Sequence, residues 1–208
     1  MHFTAAYAEH TTLLDGTRAL LRLVTPGDAR ILAEGFLRLS DGSRYTRFLA
    51  PKPRLTDEEL RYLTDVDQVR HVAIGAVRID DDEPSTHGMG IARFIVLTDE
   101  PGVAEAAVAV ADDCQGRGLG RLLFLRLCAA AIERDIAVFR CHLMASNKGM
   151  KALIESIAPD REIQIESGVM TIDMHLPRVA PDVSIAGPGP DEPIYDLLRA
   201  AAKVTRGG

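Results

Sequence analysis

The chain lacks most marks of a nucleic-acid, membrane or metal protein. No basic stripe is present: 24 Lys and Arg stand against 30 Asp and Glu, the formal net charge is −6 and the pI is ≈ 5.5. Neutralising a phosphate backbone, the main source of nucleic-acid affinity, is therefore excluded as its principal task. No run of 18 apolar residues occurs, because Arg121 and Arg126 interrupt the longest candidate, so no membrane partner is expected. The first ten residues lack a charged start followed by an apolar stretch and do not read as a signal peptide. Cysteine is scarce: Cys114, Cys128 and Cys141 show no C-x-x-C spacing, and the six His include no H-x-x-x-H pair. No metal site is expected, and three scattered thiols indicate a reducing, cytoplasmic setting.

What the chain does have is the run Gln115-Gly116-Arg117-Gly118-Leu119-Gly120. An apolar strand over residues 106–111 leads into it, and an amphipathic helix from Leu119 to about Arg134 leads out. Alternate glycines at a strand-to-helix turn let a bulky anion approach the backbone where a Cβ would block it. The first N–H groups of a helix have no intrahelical partner and carry partial positive charge. Arg117 and Arg121 add full charges in the same turn, so the run reads as a pyrophosphate site. The dinucleotide fingerprint fails on spacing, since counting from Gly116 or Gly118 ends on Arg121 or Leu123, and no Gly-Lys-Ser/Thr of a Walker loop is present. A glycine-rich turn that only tightens helix packing is the other reading.

The pattern that fits is Gln-x-x-Gly-x-Gly, and on it the chain resembles the GNAT superfamily of N-acetyltransferases. The resemblance implies that this turn grips the pyrophosphate of acetyl-CoA, the acyl donor. A second strand over 137–144 and a helix over 148–157 follow, with Asn147, Met150 and Leu153 spaced as in the second motif of that family. There the Asn contacts the pantetheine arm; by itself Asn147 is equally an N-cap. The cofactor-binding residues implied are Val108, Ala109, Val110, Gln115, Gly116, Arg117, Gly118, Leu119, Gly120, Arg121, Asn147 and Met150.

The remaining chain orders itself around these motifs. A strand over 19–24 leads through Thr25-Pro26-Gly27-Asp28, an N-cap with Pro at N1 and an acid at N3, into a helix whose apolar face holds Ile31, Leu32, Phe36 and Leu39. Residues 40–53 read as a loop, and Thr56-Asp57-Glu58-Glu59 is a capping box for a helix over 57–64. Strands over 71–79, 88–98 and 104–111, separated by an acidic loop over 80–87 and a turn over 99–102, predict an antiparallel meander. A hairpin turns at Ser167-Gly168 between 161–166 and 169–176. The expected fold is α/β (α+β): a mixed, mostly antiparallel twisted sheet, flanked by helices, in which the strands before and after the glycine-turn helix run parallel and splay apart. Residues 1–176 are expected to form the catalytic domain. Residues 177–208 are expected to form a Pro/Gly-rich linker and a short helix with Ile194, Leu197, Leu198 and Ala201 on one face.

Three stretches narrow the resemblance: Leu39-Ser40 with Ser43-Arg44-Tyr45-Thr46-Arg47-Phe48, residues 63–73, and residues 104–112. They look like bacterial protein-lysine acetyltransferases that modify acyl-CoA synthetases, of the actinobacterial type fused to a cyclic-nucleotide domain. No such domain is visible in this sequence, so that regulation is not expected from it. The implied activity is N-acetylation of an amine, with lysine acetylation of a protein such as an acyl-CoA synthetase as the acceptor reaction. Acetylation of a small amine and a non-catalytic acyl-CoA sensor are the alternatives. Glu105 matches the glutamate that serves as catalytic base in the lysine-acetylating relatives; its other reading is an exposed strand residue. Asp112 and Asp113 are expected to tether loop N–H groups instead. Many relatives carry a tyrosine seven residues after the Asn to protonate the leaving thiolate, and here that position is Ile154.

Overall fold

In the computed structural model the described residues are 2–158 and 161–177, and they build one eight-stranded sheet. The elements are β1 (Ala8–Thr12), β2 (Arg18–Leu23), a 3-10 turn (Pro26–Asp28) running into α1 (Ala29–Leu37), α2 (Asp41–Phe48), α3 (Asp57–Thr64), β3 (His71–Asp80), β4 (Glu83–Val96), β5 (Val103–Val110), α4 (Leu119–Ile132), β6 (Val138–Met144), α5 (Lys148–Ile157), β7 (Arg161–Glu166) and β8 (Val169–His175). The strand order is β1-β2-β3-β4-β5-β6-β8-β7, and every pair is antiparallel except β5–β6. This is the expected mixed α/β architecture. The helix expected over 193–203 falls outside the described residues.

The parallel pair is short. Only Val103, Ala104 and Glu105 face Val138, Phe139 and Arg140. Beyond them β5 stays bound to β4 out to Val110 opposite Gly90, while β6 stays bound to β8 out to Met144 opposite Val169. Each strand follows its antiparallel partner, so the two diverge into a wedge whose inner edge on β5 carries backbone groups without a neighbouring strand. α4 makes the crossover that permits a parallel neighbour.

Burial explains why α4 runs where it does. It was expected to be amphipathic, but Leu119, Leu123, Phe124, Leu125, Leu127, Cys128, Ala130 and Ala131 are all buried, so the helix is apolar almost all round and sits inside the core. Phe124 and Phe94 both meet the Phe139 ring, at centroid distances of 6.1 and 5.6 Å. The charged residue in this helix that ought to break such burial, Arg126, forms two 2.6 Å bonds to the Glu9 carboxylate, which also accepts 2.8 Å from the Tyr7 hydroxyl. Burial alone would raise the Glu9 carboxyl, but the Arg126 bonds outweigh it and hold its pKa below the ordinary value.

Three local expectations are corrected. Strand β1 was missed because its buried position is Glu9, so the apolar alternation that marks a half-buried strand is absent. Residues 40–53 are not all loop, since Asp41–Phe48 is helical: the Ser40 Oγ caps the Ser43 N–H at 3.2 Å, and the helix ends on Leu49 in the left-handed region (φ 55°). Its polar sequence and its non-glycine stop concealed it. The acidic loop over 80–87 shrinks to a two-residue turn, Asp81 and Asp82 at φ 50° and 68°, with β4 starting at Glu83. Both central residues at positive φ match a type I′ hairpin, a conformation Asp tolerates better than most residues.

Candidate active site

The wedge between β5 and β6 opens into a cleft of ≈ 580 Å3, with the glycine turn at one end and Glu105 at the other. At the turn, Gly116 and Gly118 have φ of +73° and +85°, so glycine is required by backbone conformation at both. Gly120 is different. Its φ is not positive, and a Cβ there would meet nothing nearer than Val110 Cγ2 at 3.5 Å, so neither conformation nor packing demands glycine. The space its missing side chain leaves lies on the cleft, which suits a bulky group pressed against the backbone. The first helical bond runs from Leu122 N–H to Gly118 O (3.1 Å), so the N–H groups of Leu119, Gly120 and Arg121 have no helical partner.

The two arginines of the turn separate. Arg117 Nη1 lies 2.9 Å from Asp15 Oδ2, and Nη2 donates to the Asp113 carbonyl at 2.5 Å. Leu14 N–H donates to the Arg117 carbonyl at 3.3 Å, so the β1–β2 hairpin tip grips the turn. The charge of Arg117 is therefore met by an acid. Arg121 Nη1 donates to the Ser156 hydroxyl at 2.6 Å, a neutral partner, and no acid among the described residues pairs with it. The Gln115 amide closes the turn by donating to Val110 O and Asp112 Oδ1, both at 3.1 Å. Asp112 also accepts from Ser40 N–H at 3.1 Å, which ties the turn to the start of α2 and fits the tethering expected of this acid.

Val108, Ala109 and Val110 line the cleft along the open edge of β5, and Asn147 and Met150 line it from α5. Asn147 is an N-cap, its Oδ1 accepting from Met150 N–H at 3.0 Å. Its amide nitrogen donates to no described residue, so the capping role leaves a donor for a ligand. Glu105 is exposed and lines the far end of the cleft. Ile154 is fully buried in the core, whereas Leu153 faces the cleft. Position 154 points away from any leaving thiolate, and no tyrosine lines the cleft among the described residues.

Thr46, Arg47 and Phe48, part of the stretch that carries the narrower resemblance, reach the cleft from a helix and not from the expected loop; the Ser40 N-cap with Asp41 in the first turn was the available signal. Other cleft residues escaped the sequence reading. His142 reaches the cleft from β6 with Nδ1 3.1 Å from Thr171 Oγ1, and no local motif marks it. His87, Asp113 and Cys114 come together, with candidate ligand atoms within 4.8 Å of one another. Asp113 already lies 3.4 Å from His87 Nε2 and 3.9 Å from Arg38 Nε, a cation beside the group that disfavours a second one. The three thiols are free and buried, and burial pushes Cys141 up to about 12, which leaves it inert as a nucleophile. Among the described residues no helix is long and apolar enough to cross a membrane.

Comparison with known proteins agrees with this geometry. Residues 34–157 match the family model described as the acetyltransferase (GNAT) family. An acetyltransferase of Pseudomonas aeruginosa is 30% identical over 153 residues, 73% of this chain and 81% of the relative. The acetyltransferase Pat of Mycolicibacterium smegmatis is 28% identical over 166 residues, 76% of this chain but 46% of that protein, so the chain spans about half of its length. Among solved structures, the GNAT domain of S. lividans PAT superimposes with a TM-score of 0.72 at 28% identity, covering 84% of this chain and 100% of that domain.

Proposed function

The chain belongs to the acetyltransferase (GNAT) family, and from that premise we propose that it transfers the acetyl group of acetyl-CoA to a primary amine, with a protein lysine as acceptor. The observation that carries the proposal is the wedge of β5 and β6, which joins an uncapped helix N-terminus to a carboxylate along an unpaired strand edge. In this reading the N–H groups of residues 119–121 and the Arg121 charge receive the pyrophosphate, and the gap at Gly120 admits it. The open edge of β5 over 108–110 and the Asn147 amide hold the pantetheine arm and thioester. Strand N–H groups there stabilise charge building on the carbonyl oxygen. Glu105 takes one proton from the ammonium, directly or through a water, as nitrogen bonds the acetyl carbon; the C–S bond then breaks, and the second proton, acidic once nitrogen is acylated, is lost to water. The thiolate leaves without a tyrosine to protonate it, which a thiol of pKa about 8.5 tolerates.

Lysine as acceptor rests on the resemblance of residues 39–48, 63–73 and 104–112 to protein-lysine acetyltransferases, with an acyl-CoA synthetase as the protein partner. That no tyrosine lines the cleft among the described residues favours one rival, an acyl-CoA sensor without turnover. Release of free thiol from acetyl-CoA, measured against lysyl peptides, acyl-CoA synthetases and small amines, decides among them. Turnover on proteins or peptides supports the proposal. Turnover on small amines alone refutes lysine as acceptor, and thiol release at the hydrolysis background with every acceptor refutes catalysis.

A further inference from the structure

The arginines of the acceptor side are not all supplied with acids. Arg22 bonds Asp28 at 2.5 and 2.7 Å, Arg44 lies 3.6 Å from Asp41, and Arg140 is held by Glu100 and Asp173. Among the arginines here that are not exposed, Arg47 and Arg93 are the exceptions: neither has an acid partner among the described residues. Arg93, only 5% exposed, spends its guanidinium on the His71 ring (3.0 Å) and the Leu63 carbonyl (3.1 Å). Burial, then Arg93 itself, pushes His71 down to about 4, so this partner is neutral and adds no negative charge. Arg47 is half-buried on α2, lies with its guanidinium carbon 5.1 Å from the Phe48 ring centroid, and makes no hydrogen bond or ion pair with any described residue. Arg47 and Glu105 line the same cleft; burial pulls the Arg47 pKa down, and Glu105 opposes this. Arg93 feels Arg47 as a like charge, so the nearest guanidinium group adds to the positive charge around Arg47 and does not offset it.

A half-buried cation without an acid partner loses part of its hydration and gains from an anionic ligand. The acetyl donor does not do so in the reading above: its phosphates belong at the glycine turn, at the opposite end of β5 from Glu105. A bare ammonium does not do so either, because Arg47 repels it from the base that must receive it. A molecule carrying both charges satisfies the pair, its ammonium toward Glu105 and its anion toward Arg47.

We infer that the acceptor carries a carboxylate a short chain away from its amine, and that Arg47 receives that carboxylate while Glu105 receives the ammonium. This rests on the reading of the cleft as an amine-acetylation site and names the class of amine it selects. The chemistry has two sources: an acidic residue beside the target lysine, or the carboxyl group of a free amino acid.

Matched acceptors test it in steady-state acetylation: a lysyl peptide with Glu beside the lysine against the same peptide with Gln, and 6-aminohexanoate against its amide. The wild-type protein is expected to prefer the acid member of one pair by about tenfold or more in kcat/KM, and that pair identifies the source. Arg47→Gln should bring the ratio to within about twofold without weakening acetyl-CoA binding or lowering the melting temperature. Arg47→Glu should favour a peptide with Lys beside the target. Equal rates on acid and amide in the wild type, or a preference that survives Arg47→Gln, overturns the inference alone. No turnover on any acceptor with acetyl-CoA still bound overturns the amine-acetylation reading and this inference together.

Discussion

Replacing Glu105 by Gln isolates the proton transfer from everything else the cleft does. The side chain is exposed, and the pairing of residue 105 with Ile95 and Arg140 is made by backbone, which the substitution leaves alone. Folding stability should therefore stay within about 0.5 kcal/mol, and acetyl-CoA should bind as before, because the pyrophosphate end lies far along β5. The chemistry should not survive as well. A lysine amine of pKa about 10.4 is only ~0.1% deprotonated near pH 7.4, equivalent to roughly 4 kcal/mol of barrier if nothing takes the proton. A positioned base is worth about 10²–10⁴ in rate, or about 3–5 kcal/mol, which matches that deficit. The expected result at pH 7 is a fall in kcat/KM of that size, shrinking steadily as pH rises toward 10, where free amine becomes abundant. Initial rates of thiol release between pH 6.5 and 9.5 for both proteins, with melting curves at each pH, provide the measurement. A Gln variant within threefold of wild type at pH 7, or a loss that is flat with pH, would show that Glu105 is a strand residue with no part in the reaction.

Gly120→Glu should fold, since the site is open apart from Val110 at 3.5 Å, yet lose the rise in melting temperature that millimolar acetyl-CoA gives the wild type by mass action; an unchanged rise would remove the pyrophosphate from this turn. Arg126→Met should cost about 3–5 kcal/mol in urea denaturation by leaving the Glu9 carboxylate buried without its partner, and adding Glu9→Gln should recover part of the loss. The pH dependence follows from the lowered Glu9 pKa: its contribution is fully present above the unfolded value of about 4.5 and is lost as pH falls through the folded value. A wild-type protein whose stability is flat across that acid range would refute the pairing.

What the sequence made legible was local. The strand, glycine turn and helix at residues 103–132, the capping box at Thr56 and the hairpin at Ser167-Gly168 each state their geometry within a few residues, and each forms close to where it was expected. What stayed hidden depends on partners remote in the chain. Glu9 looks like a polar N-terminal residue until Arg126 comes beside it, and the same pairing lets an arginine sit in a buried helix. Arg117 looks like a free cation until Asp15 reaches it from the β1–β2 hairpin. Arg47 gives no local sign that it faces Glu105: the apolar neighbours Phe48 and Leu49 mark an inward face, but not the acid 58 residues away that shares the cleft. Charge pairs of this kind have no period, so periodicity cannot find them.

Helix α2 shows how such pairings set the geometry of the acceptor side. An isolated eight-residue helix is too short to hold itself, and α2 fully buries none of its residues. Phe48 meets Phe36 at 5.6 Å, but most of the support is polar. Arg44 donates to the Leu39 and Pro53 carbonyls, and the N-cap residue Ser40 gives its own N–H to Asp112. The Ser40 and Ser43 contacts also outweigh burial in keeping the Asp112 carboxyl below its ordinary pKa, so it stays ionised and able to accept from both sides. Its other oxygen accepts from Gln115, the first residue of the glycine turn. One carboxylate thus fixes the start of the acceptor-side helix and the loop at the donor end. Arg47 lies two turns along that helix from Ser40, and Glu105 lies seven residues back along the chain from Asp112, so the anchor sets where the guanidinium enters the cleft while the sheet register of β5 with β4 and β6 fixes the carboxylate.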